Sequence, residues 1–129
     1  MKKLILIATL IFGSVLLVNA GEDKYSIGEK MSFKSEVLNE ERSILVYTPQ
    51  TYDLGNQSYP VMYLLDGSAH FHHVSGIVQF LSGNGIIPEL IVVAVVNVDR
   101  TRDFTPTKVE ERPNTGGASK FMAYLKDEL

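Results

Sequence analysis

The chain has 129 residues, 45% of them hydrophobic, and 12 Lys and Arg against 15 Asp and Glu leave a formal charge of −3. So balanced a composition excludes collagen-like, low-complexity and strongly disordered classes, and the mild acidity removes the basic footprint of a nucleic-acid binder. Without cysteine there is no disulfide scaffold, iron–sulfur cluster, zinc ribbon or lipid-modified N-terminal Cys. The length suits one small domain.

Lys2 and Lys3 precede an apolar run over residues 4–18 that is interrupted only by Thr9, Gly13 and Ser14. Val18 and Ala20 then occupy the −3 and −1 positions of a cleavage site. This is the anatomy of a secretory signal peptide, residues 1–20, cut after Ala20. The competing reading is a membrane anchor, but the run falls short of the roughly 20 residues that span a bilayer. The expected mature chain, residues 21–129, is therefore exported to the periplasm or beyond the cell, without a stable membrane anchor once the leader is removed.

Residues 29–38 alternate, with Met31, Phe33, Ser35 and Val37 on one side and mostly charged residues on the other, which predicts a half-exposed strand. Asn39, Glu40 and Glu41 make the turn to a second, antiparallel strand over residues 42–48. Pro, Asp, Gly, Asn and Ser mark residues 49–59 as a loop. Residues 61–65 and 90–98 are continuous apolar runs rather than alternating ones. Such runs predict strands buried on both faces of a parallel sheet. Between them Phe71, Val74, Ile77, Val78 and Leu81 recur at helical spacing, and Gly83, Asn84 and Gly85 supply the stop. Strand, helix and strand in this order form a right-handed crossover.

Residues 98–115 read as a long polar loop containing two prolines. Ala118, Phe121, Met122 and Leu125 then mark one face of an amphipathic helix with no stop signal before Leu129. The last four residues spell an endoplasmic-reticulum retention signal, yet they also continue the helical pattern. The chain is expected to be cut short.

Several stretches together carry a family resemblance. They are Arg42 to Pro49 with Tyr52, Tyr59-Pro60-Val61-Met62-Tyr63-Leu64-Leu65-Asp66-Gly67, and Pro88-Glu89-Leu90-Ile91-Val92-Val93. Asn97 to Thr107, with its Arg-Asp-x-Thr-Pro run, and Thr115-Gly116-Gly117-Ala118 extend the match. In this order and spacing they resemble the esterase D-like branch (Putative esterase) of the α/β-hydrolases. The resemblance implies an α/β fold in which N-terminal antiparallel strands lead into a parallel sheet with flanking helices, here truncated before the nucleophile strand. It also implies acyl-ester cleavage by a Ser-His-Asp/Glu triad, with two backbone N–H groups holding the oxyanion. No cofactor or metal is implied, and the partner is a small-molecule or polysaccharide ester. All three triad residues are expected beyond Leu129. Two hypotheses remain: an exported carboxylic-ester hydrolase of siderophore or polysaccharide type, represented by its N-terminal portion, and a non-catalytic exported binding module on the same scaffold. A Gly-x-Ser-x-Gly elbow downstream of Leu129 would separate them.

By the same resemblance the loop after the Leu64-Leu65 strand supplies one oxyanion donor, the N–H of Ser68, with Gly67 allowing a tight turn. The alternative is that Asp66-Gly67 is only a turn, with Asp66 a structural acceptor. His70, His72 and His73 could line the cleft rim beyond a strand's carboxyl end, bind metal, or be polar helix-start residues. Spacings of two and three aim the rings poorly at one point. Arg100, Arg102 and Asp103 could clamp an anionic substrate or order their loop by ion pairs. Ser119 is no elbow nucleophile, because a loop precedes it and Phe121 stands where a small residue is needed. Gly83-Asn84-Gly85 follows a helix, the reverse of a dinucleotide fingerprint.

Overall fold

Strands β1 (Glu29–Ser35), β2 (Glu40–Tyr47), β3 (Val61–Leu64) and β4 (Ile91–Val95) form one mixed sheet in the order β1-β2-β4-β3. The structure, a computed structural model, describes residues 25–55 and 57–129; the expected signal peptide lies outside them. β1 pairs antiparallel with β2, and β2 pairs antiparallel with β4. β3 runs parallel to β4 through the crossover helix α1 (Gly67–Gly83), as the order of elements predicts. Helices α2 (Arg100–Phe104) and α3 (Ala118–Asp127) follow β4. No helix among the described residues is long and apolar enough to cross a membrane.

The alternation of β2 and β4 divides the core in two. Tyr47, Val92 and Ala94 face α1, where Phe71 and Val78 cover them. Val95 faces the other way, onto Phe121 and Tyr124 of α3. Val92 and Val95 are fully buried, each contributing about 1.5–3 kcal/mol relative to an exposed side chain. The sheet therefore carries a helix layer on each face, the α/β arrangement expected from the sequence.

Several expectations change. Strand β3 is not buried on both faces: Val61, Met62, Tyr63 and Leu65 are exposed. It is an edge strand, as β1 is on the opposite side, and of its residues only Leu64 joins the core beneath α1, so apolar continuity reported hydrophobic character but not position in the sheet. The buried stripe of α1 is Phe71, Val74, Ser75 and Val78, while Ile77 turns outward. On α3 the buried partner of Phe121 is Tyr124, and Met122 is exposed. Glu40 and Glu41 belong to β2, leaving Asn39 with φ of 53° to make the turn.

The polar stretch 98–115 is not wholly a loop, because Asp99 caps α2 by accepting the Arg102 N–H at 3.0 Å. The loop of residues 49–59 likewise holds a single helical turn, Tyr52–Leu54. The chain's last turn packs back on its first hairpin. Glu128 accepts hydrogen bonds from the Ser35 hydroxyl and from the N–H groups of Glu36 and Val37, the latter two at 2.8 and 2.9 Å. These bonds hold its carboxyl below the ordinary range, Ser35 contributing most.

Candidate active site

The parallel strands end together at Leu64 and Val95, and the residues just beyond them form a polar cluster. Asp66 sits in left-handed backbone, φ 55° and ψ 43°, and α1 starts at the next residue. A left-handed aspartate is tolerated because its short side chain finds local hydrogen bonds. Here the carboxylate accepts from Arg100 Nε at 2.8 Å, from the Arg100 guanidinium at 3.2 Å and from the Asn97 amide. Arg100 foremost, then Asn97, holds Asp66 below the ordinary carboxylate range. Arg100 also lies over the Phe104 ring at 4.8 Å.

At this junction the positive φ belongs to Asp66, and Gly67 is needed for close approach. A Cβ on Gly67 would lie 2.8 Å from the Val95 carbonyl oxygen and 2.9 Å from the Ala94 carbonyl carbon. The helix thus starts directly against the end of β4. The N–H groups of Ala69 and His70 turn back to the Asp66 carbonyl at 2.9 and 3.2 Å. Gly67 and Ser68 are the first residues of α1, where N–H groups have no helical acceptor and carry the positive end of the helix dipole.

The remaining candidates divide. His70 lies in the first turn of α1, close enough for its charge to favour ionised Asp66, and packs edge-on against His73 at 5.2 Å. His72 is exposed on the same helix. Among the described residues no group of three His, Asp or Glu side chains could hold a metal ion. Arg102 and Asp103 turn away from Asp66 and into the fold. Arg102 grips Glu40 with two bonds of 2.9 and 2.6 Å and reaches Asp103 through Nε at 2.8 Å. Asp103, 1% exposed, pairs with Arg42, 0% exposed, at 2.9 Å. These two therefore order the segment after β4 through a buried network, and Arg100 alone of the three reaches the strand ends. Ser119 is an exposed residue in the first turn of α3.

Two members of these networks were missed in the sequence. Asn97 is the first polar side chain after seven apolar ones, and that position was the available signal. Arg42 carried none, since an arginine at a strand start normally faces solvent. Here its guanidinium lies 5.4 Å from the Phe121 ring centre and 5.1 Å from that of Tyr124.

This geometry, a strand end turning sharply into a helix N-terminus beside a parallel neighbour, is that of a β-α-β unit in an α/β sheet. The sequence profile of the Putative esterase family matches residues 35–129, and the chain belongs to that family. An IroE-like serine hydrolase from Shewanella oneidensis is similar in structure, with 32% identity and a TM-score of 0.73 over 78% of this chain and 35% of that one. The BES protein from Bacillus cereus is 25% identical, with a TM-score of 0.69 over 81% of this chain and 47% of its own. The enterobactin esterase FES from Shigella flexneri, 20% identical with a TM-score of 0.59 over 78% of this chain and 24% of that one, shares the fold. The chain thus spans between about a quarter and a half of the length of these proteins. A search of curated proteins returned no match.

Proposed function

We propose that this chain is the N-terminal portion of an exported serine carboxylic-ester hydrolase, acting on siderophore or polysaccharide-linked esters, and that it is inactive alone. The observation that carries the proposal is the Asp66 turn: a left-handed residue, clamped by Arg100 and Asn97, that launches α1 against the end of β4. In this reading the Ser68 N–H, with Gly67 supporting the turn, is one of two donors to the oxyanion that forms when a base-activated serine attacks an ester carbonyl. One such donor is worth ~3–4 kcal/mol of transition-state stabilisation. The serine, its histidine and its acid would lie in sequence beyond Leu129, consistent with the 35% of the IroE-like hydrolase that this chain spans. Lys2, Lys3, the apolar run and Ala20 support export.

Two measurements test the reading. The purified chain is expected to leave p-nitrophenyl acetate at the rate of a buffer blank, since loss of a serine nucleophile alone costs ~10⁶-fold in turnover. The reading frame continued past Leu129 is expected to encode a Gly-x-Ser-x-Gly elbow, and its longer product to hydrolyse the same ester. Turnover by the short chain would refute the inactivity. A continuation without an elbow would refute the esterase assignment and leave a binding module.

A further inference from the structure

The two outer strands of the sheet are guarded differently. β1 carries exposed Glu29, Lys30 and Lys34 along its edge, and such charges discourage a further strand from pairing. β3, Val61-Met62-Tyr63-Leu64, carries none. Its surface is within reach: Val61, Met62 and Tyr63 are 46%, 38% and 51% exposed, and Leu65 just beyond them 42%. Among the described residues no strand pairs with its outer side.

The register fixes which backbone groups face outward. The Ile91 N–H donates to the Pro60 carbonyl at 2.9 Å, and Val61 lies opposite Ile91. In a parallel pair, alternate residues bond to a given neighbour. Pro60, Met62 and Leu64 therefore turn their backbone groups to β4, and Val61, Tyr63 and Leu65 turn theirs to the open side. Side chains alternate in the same way, so an added strand would run beside Val61 and Tyr63 on one face and Met62 on the other. A strand lying between two apolar surfaces is itself apolar on both faces.

The handedness of the connections gives the direction and source of that strand. Helix α1 covers the face of Tyr47, Val92 and Ala94, whereas α3 covers the face of Val95. Strand–helix–strand crossovers are right-handed on either face, so units with helices on opposite faces step in opposite directions along the sheet. The step through α1 runs from β3 to β4. A parallel strand reached from β4 through α3 steps back past β3 and lands on its open edge. The Tyr63 hydroxyl donates to the Leu129 carbonyl at 3.0 Å, so α3 delivers the chain to that strand.

We propose that the open edge of β3 is a docking site for one extended segment, parallel to β3 and apolar on both faces. It takes this segment from the remainder of the longer protein even when the two are separate polypeptides. The inference rests on reading the chain as an N-terminal portion, but it requires no esterase activity. In such strand addition, main-chain hydrogen bonds supply affinity and alternate side chains supply selectivity.

The test uses the dilute full chain and two synthetic peptides, read by amide hydrogen exchange in NMR spectra. One peptide copies Glu89–Asn97, apolar from Leu90 to Val96, with lysines added at both ends for solubility; the other copies Glu29–Ser35, charged on one face. The first is expected to abolish fast exchange at Val61, Tyr63 and Leu65 saturably while Met62 and Leu64 keep their rates. The second is expected to change none of them. A nitroxide on the N-terminus of the first peptide is expected to broaden Val61 more than Leu65. Tyr63→Pro deletes an outward N–H and no bond to β4, a place where an edge strand tolerates proline, and is expected to abolish the protection. Val61→Lys, expected to weaken it, decides the matter if the proline variant does not fold. The proposal is overturned by no protection from the first peptide, equal protection from the second, the opposite nitroxide gradient, or undiminished protection in the variants. Slow exchange at Val61, Tyr63 and Leu65 in the dilute chain alone would also overturn it. Ester hydrolysis by the longer product tests the esterase reading separately, so either can fail without the other.

Discussion

Arg100 Nε lies 2.8 Å from Asp66 Oδ1 and so ties the segment after β4 to the segment after β3. Two neighbouring parallel strands are thereby coupled at the end where this fold places its chemistry. The Asp66 carboxylate makes these bonds while its backbone is left-handed at the start of α1.

The coupling can be read from the titration of Asp66. Its carboxyl is held low by Arg100 first and Asn97 second, so its ¹³C titration midpoint is expected below the unperturbed aspartate value of about 3.9. Arg100→Ala should move that midpoint upward. A wild-type midpoint at or above the unperturbed value would show that the ion pair is not formed in solution.

Acid should weaken the fold through Glu40 and Glu128. Both have lowered values, Glu40 through its Arg102 hydrogen bonds and Glu128 through Ser35 and the Val37 N–H. A depressed folded-state value means stability that is complete above the unfolded value of about 4.3 and is lost as pH falls through the lower folded one. Urea midpoints are therefore expected to hold steady from pH 7 to about pH 5 and to decline at more acid pH. Glu128→Gln should flatten part of that decline.

Arg42 is the largest fully buried side chain among the described residues. Arg42→Ala strands the buried Asp103 carboxylate and removes the cation packed against Phe121 and Tyr124. Breaking one side of a buried pair costs about 3–5 kcal/mol. The double change Arg42→Met with Asp103→Leu, which removes both charges, is expected to be milder. Denaturation curves of the two variants against wild type measure the difference.

Gly67→Ala tests the packing of α1 on β4. The added methyl would stand 2.8 Å from the Val95 carbonyl oxygen, and the backbone must shift to admit it. Overpacking of this kind costs about 1–3 kcal/mol. The expected result is a lower melting temperature and altered amide shifts at Ala94 and Val95. An unchanged melt would mean that the helix start is less closely seated.

The edge of the sheet should control association. Strand β3 carries no charged residue, and Val61, Met62 and Tyr63 are exposed along it. Unpaired apolar edges are templates for further strand pairing. Concentration-dependent self-association by sedimentation velocity is expected for the chain as it stands, and Tyr63→Lys should reduce it. Wild-type sedimentation as a monomer at all concentrations would count against an open edge.

Much of the fold was legible beforehand because it is written in local patterns. Alternation marked β1, a continuous valine-rich run marked β4, and apolar spacing with a Gly83-Asn84-Gly85 stop marked α1. The order of these elements was enough to predict the parallel crossover. At the candidate site, Asp66, Gly67 and Ser68 stand out through their position after a hydrophobic strand. The short helix at Arg100–Phe104 was hidden because its stabilising partner is a cap on a five-residue segment with little apolar content.

By itself the amino-acid order determined where the four strands and the helices α1 and α3 lie, since hydrophobic period and turn chemistry act between near neighbours. It also carried the family motifs around Asp66 and Asp103. Only the tertiary structure decided that β3 lies at the edge, that Arg42 and Asp103 are buried together, and that Arg100 rather than Arg102 reaches Asp66. Those outcomes depend on contacts between residues 30 to 61 positions apart, and no local period encodes such distances.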